Sequence, residues 1–293
     1  MTTQISAKSN APGIFRSTVI SNRKLNPNCF LMRLMLEETK TASLPAASAG
    51  QFVMLRLSNS VFPFLPRPFG IMQVHKSKPF GACIYDILYQ IAGTGTRFMS
   101  TLKPGYVMQA FGPLGNGFTI NTGVNTHVII AGGIGIAGVF MLVRELSKKQ
   151  DANNTIHLFY GAKTARDAVL LKELKKFKIN TLLSTDDGSA GQKGFVTDIY
   201  RNFSAKIKGK RTVQVYACGP DVMLNEVMNV AKNYSHLCQI SLDRRMACGI
   251  GVCRGCVCKT KSPDKSPEFM YSTVCKDGPV FDMNSLTNTK NEV

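Results

Sequence analysis

A strand, a glycine turn and a helix follow one another in the stretch Val128-Ile129-Ile130-Ala131-Gly132-Gly133-Ile134-Gly135-Ile136-Ala137-Gly138. Its glycines satisfy the pattern G-x-G-x-x-G, which lets the backbone approach a pyrophosphate at the positive end of the following helix. We therefore predict that Gly132, Gly133 and Gly135 bind a nucleotide. The acidic residue expected after the next strand is missing, because Tyr160 stands there, so the site is not a standard Rossmann site. A tight strand-to-helix turn without a ligand is the alternative.

Strands and helices continue to alternate after this stretch. We predict strands at 126–131, 155–160, 181–184, 213–217 and 239–242, with helices at 136–149, 166–177 and 221–233. Alternation of this kind predicts βαβ units and a parallel sheet covered by helices. We assign residues 119–240 to a parallel α/β nucleotide-binding domain.

The chain before residue 118 has a different pattern. Short β-rich segments at 14–21, 29–37, 52–58, 69–74, 82–91 and 106–111 are separated by turn residues, and 41–50 is predicted to be a loop. Six such strands predict a small antiparallel β-barrel over residues 13–118. The chain as a whole is thus predicted to be an α+β multidomain protein, with a boundary near 116–125.

Two motifs of the barrel are suited to phosphate groups. Arg67-Pro68-Phe69-Gly70 combines a guanidinium, which grips phosphate with two hydrogen bonds, with a proline that fixes the chain. Leu88-Tyr89-Gln90 is followed by a second glycine turn, with Gly95 and Thr96 at the start of a helix. The alternatives are a surface arginine beside a turn and a core tyrosine at position 89.

The parallel domain has two further motifs at strand ends. Cys218-Gly219-Pro220 follows a strand and precedes a helix, which brings its thiol to the carboxyl edge of the sheet, where open α/β folds bind ligands. An inert buried cysteine is the alternative. Asp186 and Asp187 follow another strand, and a turn that hydrogen-bonds a ribose fits them better than a catalytic carboxylate pair, because neighbouring side chains diverge on an extended chain.

Four cysteines near the C-terminus carry the most specific signal. Cys248, Cys253 and Cys256 form a C-x4-C-x2-C run, and eighteen residues separate Cys256 from Cys275. This is the plant-type spacing of a [2Fe–2S] cluster, which passes single electrons, so we predict a cluster-binding segment over residues 241–293. Zinc and disulfides are the alternatives; zinc sites usually pair two C-x2-C units, and disulfide frameworks suit small secreted chains. Cys258 is predicted to be no ligand, since the pattern is complete without it.

Composition limits the remaining classes of function. The 293 residues are 44% hydrophobic, include nine cysteines, and contain no apolar run long enough to span a membrane. Cysteines without a secretory signal at the N-terminus predict a reducing, cytoplasmic location. Lys and Arg exceed Asp and Glu by eighteen, but the basic residues are dispersed, so we predict neither nucleic-acid nor membrane binding and interpret the surplus as a compositional bias. Attraction to an acidic partner protein or to an anionic cofactor is the alternative.

These motifs together resemble the ferredoxin–NAD(P) reductase superfamily, in which a flavin barrel precedes a nicotinamide domain. Within it, the chain is most similar to the electron-transfer subunits of class 1B dihydroorotate dehydrogenases, on the Thr185–Ser189 and Lys193–Thr197 segments, the Cys-Gly-Pro triplet and the C-terminal cysteine segment. The resemblance implies FAD at the motifs of Arg67, Tyr89 and Gly95, and NAD near Cys218. It also implies a [2Fe–2S] cluster on the four cysteines. Gly70 replaces a serine of the family motif and Gln90 an arginine, which predicts altered flavin affinity or potential.

The resemblance further implies a relay in de novo pyrimidine (UMP) biosynthesis. A separate FMN-containing catalytic subunit oxidises dihydroorotate, and electrons pass through the cluster and FAD to NAD+. The implied assembly is a two-plus-two heterotetramer, and no residue of this chain is expected to act as acid or base. The small subunit of an NADH-dependent ferredoxin:NADP oxidoreductase or of a sulfide dehydrogenase is the alternative function. A non-enzymatic zinc-binding or redox-sensing protein is a more remote one.

Overall fold

The fold is seen in a computed structural model that describes residues 12–37, 46–57, 64–77, 82–149, 154–207, 209, 212–262 and 267–287. Residues 1–11 are therefore outside the described residues, and so are 41–45 of the predicted loop at 41–50. Two seven-stranded sheets and one two-stranded sheet form the framework of these described parts.

The N-terminal sheet is antiparallel and strongly curled. Its strand order is β4-β3-β7-β1-β2-β6-β5, and the curl brings the edge strand β4 against β6. Inward-facing residues alternate with outward-facing ones on β2, as expected for a sheet with one buried face. The strands are β1 Gly13–Lys24, β2 Cys29–Leu36, β3 Phe52–Arg56, β4 Arg67–Gly70, β5 Gln73–Ser77, β6 Ala82–Gln90 and β7 Val107–Leu114, and helix α1 is Thr94–Thr101.

The second sheet has the order β11-β10-β9-β8-β12-β13-β16 and is parallel except for its last strand. All seven residues of its central strand β8 are buried, which explains why that stretch is apolar throughout. Its elements are β8 Thr126–Gly132, α2 Ile136–Ser147, β9 Thr155–Ala162, α3 Leu171–Leu174, β10 Asn180–Thr185, β11 Gln192–Lys193, α4 Val196–Ile207, β12 Val213–Cys218, α5 Asp221–Asn233 and β13 Leu237–Ser241.

The C-terminal segment is more regular than its sequence indicates. It contains an antiparallel pair, β14 Val257–Lys261 with β15 Phe269–Thr273, then α6 Val274–Asp277 and β16 Val280–Asp282. Strand β16 pairs with β13 and so completes the second sheet. Local sequence patterns did not indicate these strands, because each strand depends on pairing with another segment of the chain.

Three other parts of the structure differ from the prediction. The single strand predicted at 69–74 is two strands, β4 and β5, interrupted at Ile71 and Met72. The helix predicted at 166–177 is reduced to the four residues of α3, because Leu170 has a left-handed φ of 63° and the chain before it does not continue the helix. Helix α4 was not predicted; its apolar positions Val196, Ile199 and Tyr200 have helical spacing and are buried.

One hydrophobic cluster joins the three parts of the chain. It contains Phe52, Met54 and Leu114 of the first sheet, strands of the second sheet, and Cys256, Val274 and Cys275 of the C-terminal segment. The C-terminal segment therefore packs on both sheets. Among the described residues, every helix is too short or too polar to cross a lipid bilayer.

Candidate functional site

The glycine turn, residues 132–135, and the Cys-Gly-Pro triplet lie side by side. Strands β8 and β12 are neighbours, with Ala131 opposite Cys218 in the register, so both motifs leave the carboxyl edge of the sheet together. A Cβ on Gly135 would lie 2.2 Å from the carbonyl oxygen of Cys218. Gly133 has a φ of 52° and a Cβ there would meet nothing within 4 Å. Gly135 is thus required by packing, whereas Gly133 leaves backbone open to a ligand, as a pyrophosphate site needs.

Cys218 is half-buried beneath this turn. A Cβ on Gly138 would lie 2.9 Å from its sulfur. Burial and the nearby Asp243 carboxylate raise the pKa of the thiol to about 12, although a hydrogen bond with Ser241 lowers it. The thiol is therefore protonated at neutral pH and is a poor nucleophile. It can line a ligand site but is not prepared for covalent chemistry.

The turn after β10 is closed by its own side chains. The Asp187 carboxylate accepts hydrogen bonds from the backbone N–H of Ser189 at 3.0 Å and from its hydroxyl at 2.6 Å. These bonds from Ser189 lower the pKa of Asp187. Asp186 and Asp187 are both exposed at the carboxyl edge. The structure therefore presents the Asp187 carboxylate where a ribose hydroxyl could donate to it.

In the first sheet, the two predicted phosphate motifs meet. A Cβ on Gly95 would lie 2.8 Å from Nε of Arg67, so the guanidinium of β4 covers the first turn of α1. Arg67 also donates to the carbonyl of Leu65. The first N–H groups of a helix have no intrahelical acceptor, so this cation and these donors together suit a phosphate group. Arg67, Pro68, Phe69 and Gly70 are all partly exposed.

The side chains of Thr96 and Tyr89 form contacts within the protein that stabilise this region. The Thr96 hydroxyl accepts from the N–H groups of Ala92 at 2.8 Å and Gly93 at 3.1 Å, which shapes the turn. Tyr89 is only 2% exposed, stacks on Phe30, and donates its hydroxyl to Asn22 at 3.0 Å. These contacts fit a tyrosine of the hydrophobic core, the alternative given for position 89, better than a ring that faces a flavin. Its neighbour Leu88 is buried, whereas Gln90 is exposed.

The four predicted cluster ligands approach one another in two pairs. The side chains of Cys248 and Cys253 are within hydrogen-bonding reach, and so are those of Cys256 and Cys275. In the described parts of the chain, no three His, Cys, Asp or Glu side chains are close enough to hold a single metal ion. Two irons that each take two thiolates fit two such pairs, whereas one zinc ion needs four donors around a single point. The donor set therefore favours a [2Fe–2S] cluster.

Backbone N–H groups point at these sulfurs. Gly251 donates to Cys275 at 3.0 Å, Cys253 to Cys248 at 3.4 Å, and Cys275 to Cys256 at 3.4 Å. Desolvation raises the pKa of Cys248, but the N–H groups of Cys253 and Ile250 outweigh it and bring the pKa to about 6. Hydrogen bonds of this kind stabilise the thiolate form that binds iron and tune its potential.

Cys258 is separate from the two pairs. It lies on β14, is 5% exposed, and belongs to the hydrophobic cluster. Burial raises its pKa to about 11. Its surroundings suit a structural thiol, and its exclusion from the ligand set stays a prediction.

The three sites adjoin one another. Gly249, with a φ of 74°, follows the first cluster cysteine, and a Cβ there would lie 2.7 Å from Cγ of Met54 on β3. Met54 pairs with Pro68 of the Arg67 motif. On the other side, the glycine turn packs near β6. The cluster loop, residues 248–256, is thus one strand away from the motif on β4, and β6 adjoins the nucleotide turn.

Sequence reasoning missed the ion pair between Arg244, which follows β13, and Asp221 at the start of α5. Arg244 is 6% exposed and donates to Asp221 at 3.1 Å and to the Asp243 carbonyl at 2.7 Å. Asp243 is exposed beside Cys218. Sequence analysis could have found Asp243 and Arg244 from their position just after the last parallel strand, at the edge of the sheet where ligands bind.

Comparisons with known families agree with this geometry. Residues 243–287 match the family described as the iron-sulfur cluster binding domain of dihydroorotate dehydrogenase B. Residues 129–229 match the oxidoreductase NAD-binding domain. The two matches cover the cluster loop with its fourth cysteine, and the glycine turn with the Cys-Gly-Pro triplet.

Similar proteins and structures cover most of the chain. The dihydroorotate dehydrogenase B (NAD(+)) electron transfer subunit of Caldanaerobacter subterraneus subsp. tengcongensis is 33% identical over 91% of this chain and 95% of its own length. That of Listeria monocytogenes is 38% identical over 80% of this chain and 85% of its own. A chain in the structure of an NADH-dependent reduced ferredoxin-NADP oxidoreductase is 25% identical, with a TM-score of 0.73, over 92% of this chain and 88% of its own. The ferredoxin reductase of carbazole 1,9a-dioxygenase shares the fold, with a TM-score of 0.61 over 77% of this chain and 67% of its own.

Proposed function

Because this chain belongs to the family of dihydroorotate dehydrogenase B electron transfer subunits, we propose that it carries electrons from a catalytic subunit to NAD+. It is an NAD-linked oxidoreductase component with an iron–sulfur segment and a ferredoxin reductase-like fold. Its electrons would come from dihydroorotate, which the FMN-containing catalytic subunit oxidises in pyrimidine biosynthesis.

Each group of residues has a distinct task in this proposal. Cys248, Cys253, Cys256 and Cys275 hold the cluster in two pairs, and backbone N–H groups support their sulfurs. Arg67 and the α1 N-terminus at Gly95 bind the FAD pyrophosphate, while Gly133 gives the NAD pyrophosphate access to backbone. FAD, when bound, accepts electrons singly and releases two together. The chain contributes the positions of these sites.

The contact between the cluster loop and β3 carries the proposal. Gly249 touches Met54, which pairs with Pro68 beside Arg67, so a cluster held by the loop lies next to the FAD motif. The nucleotide turn adjoins the same curled sheet through β6. These contacts support the order cluster, flavin and nicotinamide, and this order is what a relay from single electrons to a hydride requires.

The catalytic subunit is proposed to dock around Cys253. Cys253 is an exposed cluster ligand, and Ile250 and Val252 beside it are 47% and 76% exposed. Arg254 donates to the Tyr271 carbonyl and so brings β15 to the loop, where Phe269 and Tyr271 are also exposed. We call Ile250, Val252, Phe269 and Tyr271 the apolar rim. Exposed apolar patches mark protein interfaces, and a donor must approach the cluster here. We propose a two-plus-two heterotetramer in the cytoplasm.

A second candidate function has one observation in its favour. The NADH-dependent reduced ferredoxin-NADP oxidoreductase chain matches 92% of this chain in fold. A small subunit of such an enzyme would have the same three sites and a different partner. The partner therefore distinguishes the two functions.

The test is co-purification with a class 1B catalytic subunit, followed by dihydroorotate-dependent NAD+ reduction and an absorption spectrum. We expect an active complex whose absorption spectrum shows both flavin and [2Fe–2S] bands. Cys253→Ser should remove the cluster bands and the activity while flavin is retained, whereas Cys258→Ala, the matched control, should keep both. A coloured protein that oxidises NADH but ignores dihydroorotate would contradict the proposal and support the second candidate.

A further inference from the structure

The short helix α6 contains Cys275, the fourth cluster cysteine, and a side chain joins its two ends. Asp277, the last residue of the helix, accepts two hydrogen bonds at Oδ2, from the backbone N–H of Thr273 at 2.6 Å and from the Thr273 hydroxyl at 2.9 Å. Thr273 is the N-cap of the helix and is 5% exposed. We call these two bonds the carboxylate clasp. The clasp closes the turn of chain that carries Cys275.

The two N–H groups that follow Thr273 both reach Cys256. Val274 donates to the Cys256 carbonyl oxygen at 2.9 Å, and Cys275 donates to the Cys256 sulfur at 3.4 Å. The first four N–H groups of a helix have no intrahelical acceptor, and α6 has only four residues. The direction of these donors therefore depends on how the N-cap is held, and Asp277 holds it.

The cluster loop packs against the same turn. Gly251 has a φ of 84°, and a Cβ there would lie 3.0 Å from Cδ of Lys276 and 3.4 Å from the Thr273 hydroxyl oxygen. The N–H of Gly251 donates to the Cys275 sulfur at 3.0 Å, which is shorter than the 3.4 Å bond to the Cys256 sulfur. Thr273 thus contacts the segment that donates this bond and lies two residues from its acceptor.

Hydrogen bonds to the sulfurs of a cluster tune its reduction potential. Reduction adds one negative charge, and an N–H group that points at a sulfur stabilises that charge, so loss of the bond makes a cluster harder to reduce. The carboxylate of Asp277 acts in the opposite direction through its charge, which repels the added electron. Position and charge therefore predict opposite changes of the potential when Asp277 is removed.

We propose that Asp277 is a positioning residue for electron transfer. By holding Thr273, it keeps the N–H groups of Gly251 and Cys275 on the cluster sulfurs, and so keeps the reduction potential of the cluster high. This role depends on the cluster alone and not on the partner that delivers the electrons. It therefore applies to either candidate function, and a failure to react with dihydroorotate does not affect it.

The test is a redox titration of the full chain loaded with FAD and cluster, followed by the electron-paramagnetic signal of the reduced cluster. In Asp277→Ala, which removes the clasp, the equilibrium constant for one-electron reduction should fall about tenfold, corresponding to about 59 mV. Asp277→Asn keeps an oxygen that accepts from Thr273 but has no charge, so its potential should equal or exceed that of wild type. Asp282→Ala is the matched control, because Asp282 also accepts a backbone N–H, that of Asn284 at 2.8 Å, but lies beyond the turn on β16. Its potential should not change.

Thr273→Val tests the clasp without changing any charge. It removes the hydroxyl donor, so the potential should fall, and Thr273→Ser should restore it. A potential that rises in Asp277→Ala would overturn the proposal, because charge would then outweigh position. An unchanged potential in Asp277→Ala or in Thr273→Val would overturn it as well, and if Asp277→Ala loses its cluster, the threonine variants decide. A wild-type chain without the signal of a reduced [2Fe–2S] cluster would refute the cluster assignment and the proposal together.

Discussion

At the scale of single residues, the partners of a side chain decide what it is available for. Tyr89 is part of a motif that resembles a flavin site, yet its hydroxyl is bound to Asn22 and burial raises its pKa to about 12. Arg67, in the neighbouring motif, lies over Gly95 at the start of a helix. The structure therefore leaves Arg67 available to a phosphate, whereas the contacts of Tyr89 belong to the core.

A buried histidine predicts a pH dependence of stability. His127 is 5% exposed and its ring stacks on Tyr216, and burial and Lys149 lower its pKa to about 4. In the unfolded chain, the His127 imidazole binds a proton near pH 6.5, whereas in the folded protein it does so only near pH 4. The free energy of unfolding should therefore decrease as the pH falls from 6.5 to 4. The shift corresponds to about 3 kcal/mol. Denaturant-induced unfolding at a series of pH values from 7 to 4 measures this loss of the free energy of unfolding.

His127→Gln is the comparison for this measurement. The variant removes the titrating ring, so its free energy of unfolding should fall less steeply than that of wild type over the same interval. Carboxylates contribute equally to the pH dependence of unfolding in both proteins, so the difference between the two curves gives the contribution of His127. Parallel curves would show that His127 has no such effect.

At the scale of elements, the glycine turn combines two different requirements. Gly135 is held against the backbone of Cys218, whereas Gly133 faces open space with a positive φ. One position therefore serves the packing of β8 against β12, and the other serves a ligand. Sequence alone shows both as glycines of one motif.

Two alanine variants should separate these requirements. Gly135→Ala should lower the free energy of unfolding by about 3 kcal/mol, since backbone atoms cannot easily give way. Gly133→Ala should lower it by only about 1 kcal/mol, yet weaken NAD+ binding about tenfold because its methyl group occupies the ligand's approach. Thermal unfolding and NAD+ titration measure the two effects. Gly123→Ala, which also meets open space, is the control; equal NAD+ affinity in all variants would contradict this assignment.

At the scale of the whole molecule, the C-terminal segment unites the sites. Strand β16 completes the second sheet, Asn116 donates its N–H to the carbonyl of Gly278, and the cluster loop packs on β3. Because the segment is attached to both sheets, the cluster keeps a constant relation to both cofactor motifs. Its outward side leaves the apolar rim exposed, where we propose that the catalytic subunit docks.

Substitutions on the apolar rim should weaken assembly. Val252→Ser and Tyr271→Ser are each expected to raise the dissociation constant for the catalytic subunit about thirtyfold, corresponding to about 2 kcal/mol of lost apolar burial. The cluster bands should persist. Ile14→Ser on β1 is the control, because its 62% exposure lies between the 76% of Val252 and the 46% of Tyr271. The affinities for the catalytic subunit are measured by calorimetry. If the two rim variants bind as tightly as the control, the interface lies elsewhere.

The sequence by itself determined the cysteine spacing, the glycine turns and the order of strand-rich and alternating regions, because each of these is a pattern among near neighbours. The two family matches and the sheet topology confirm the fold class drawn from them. Only the tertiary structure decided that the thiols pair, that Arg67 covers Gly95 and that β16 joins the second sheet. Those relations join residues far apart in the chain, and packing of the folded sheets, rather than local preference, brings them together.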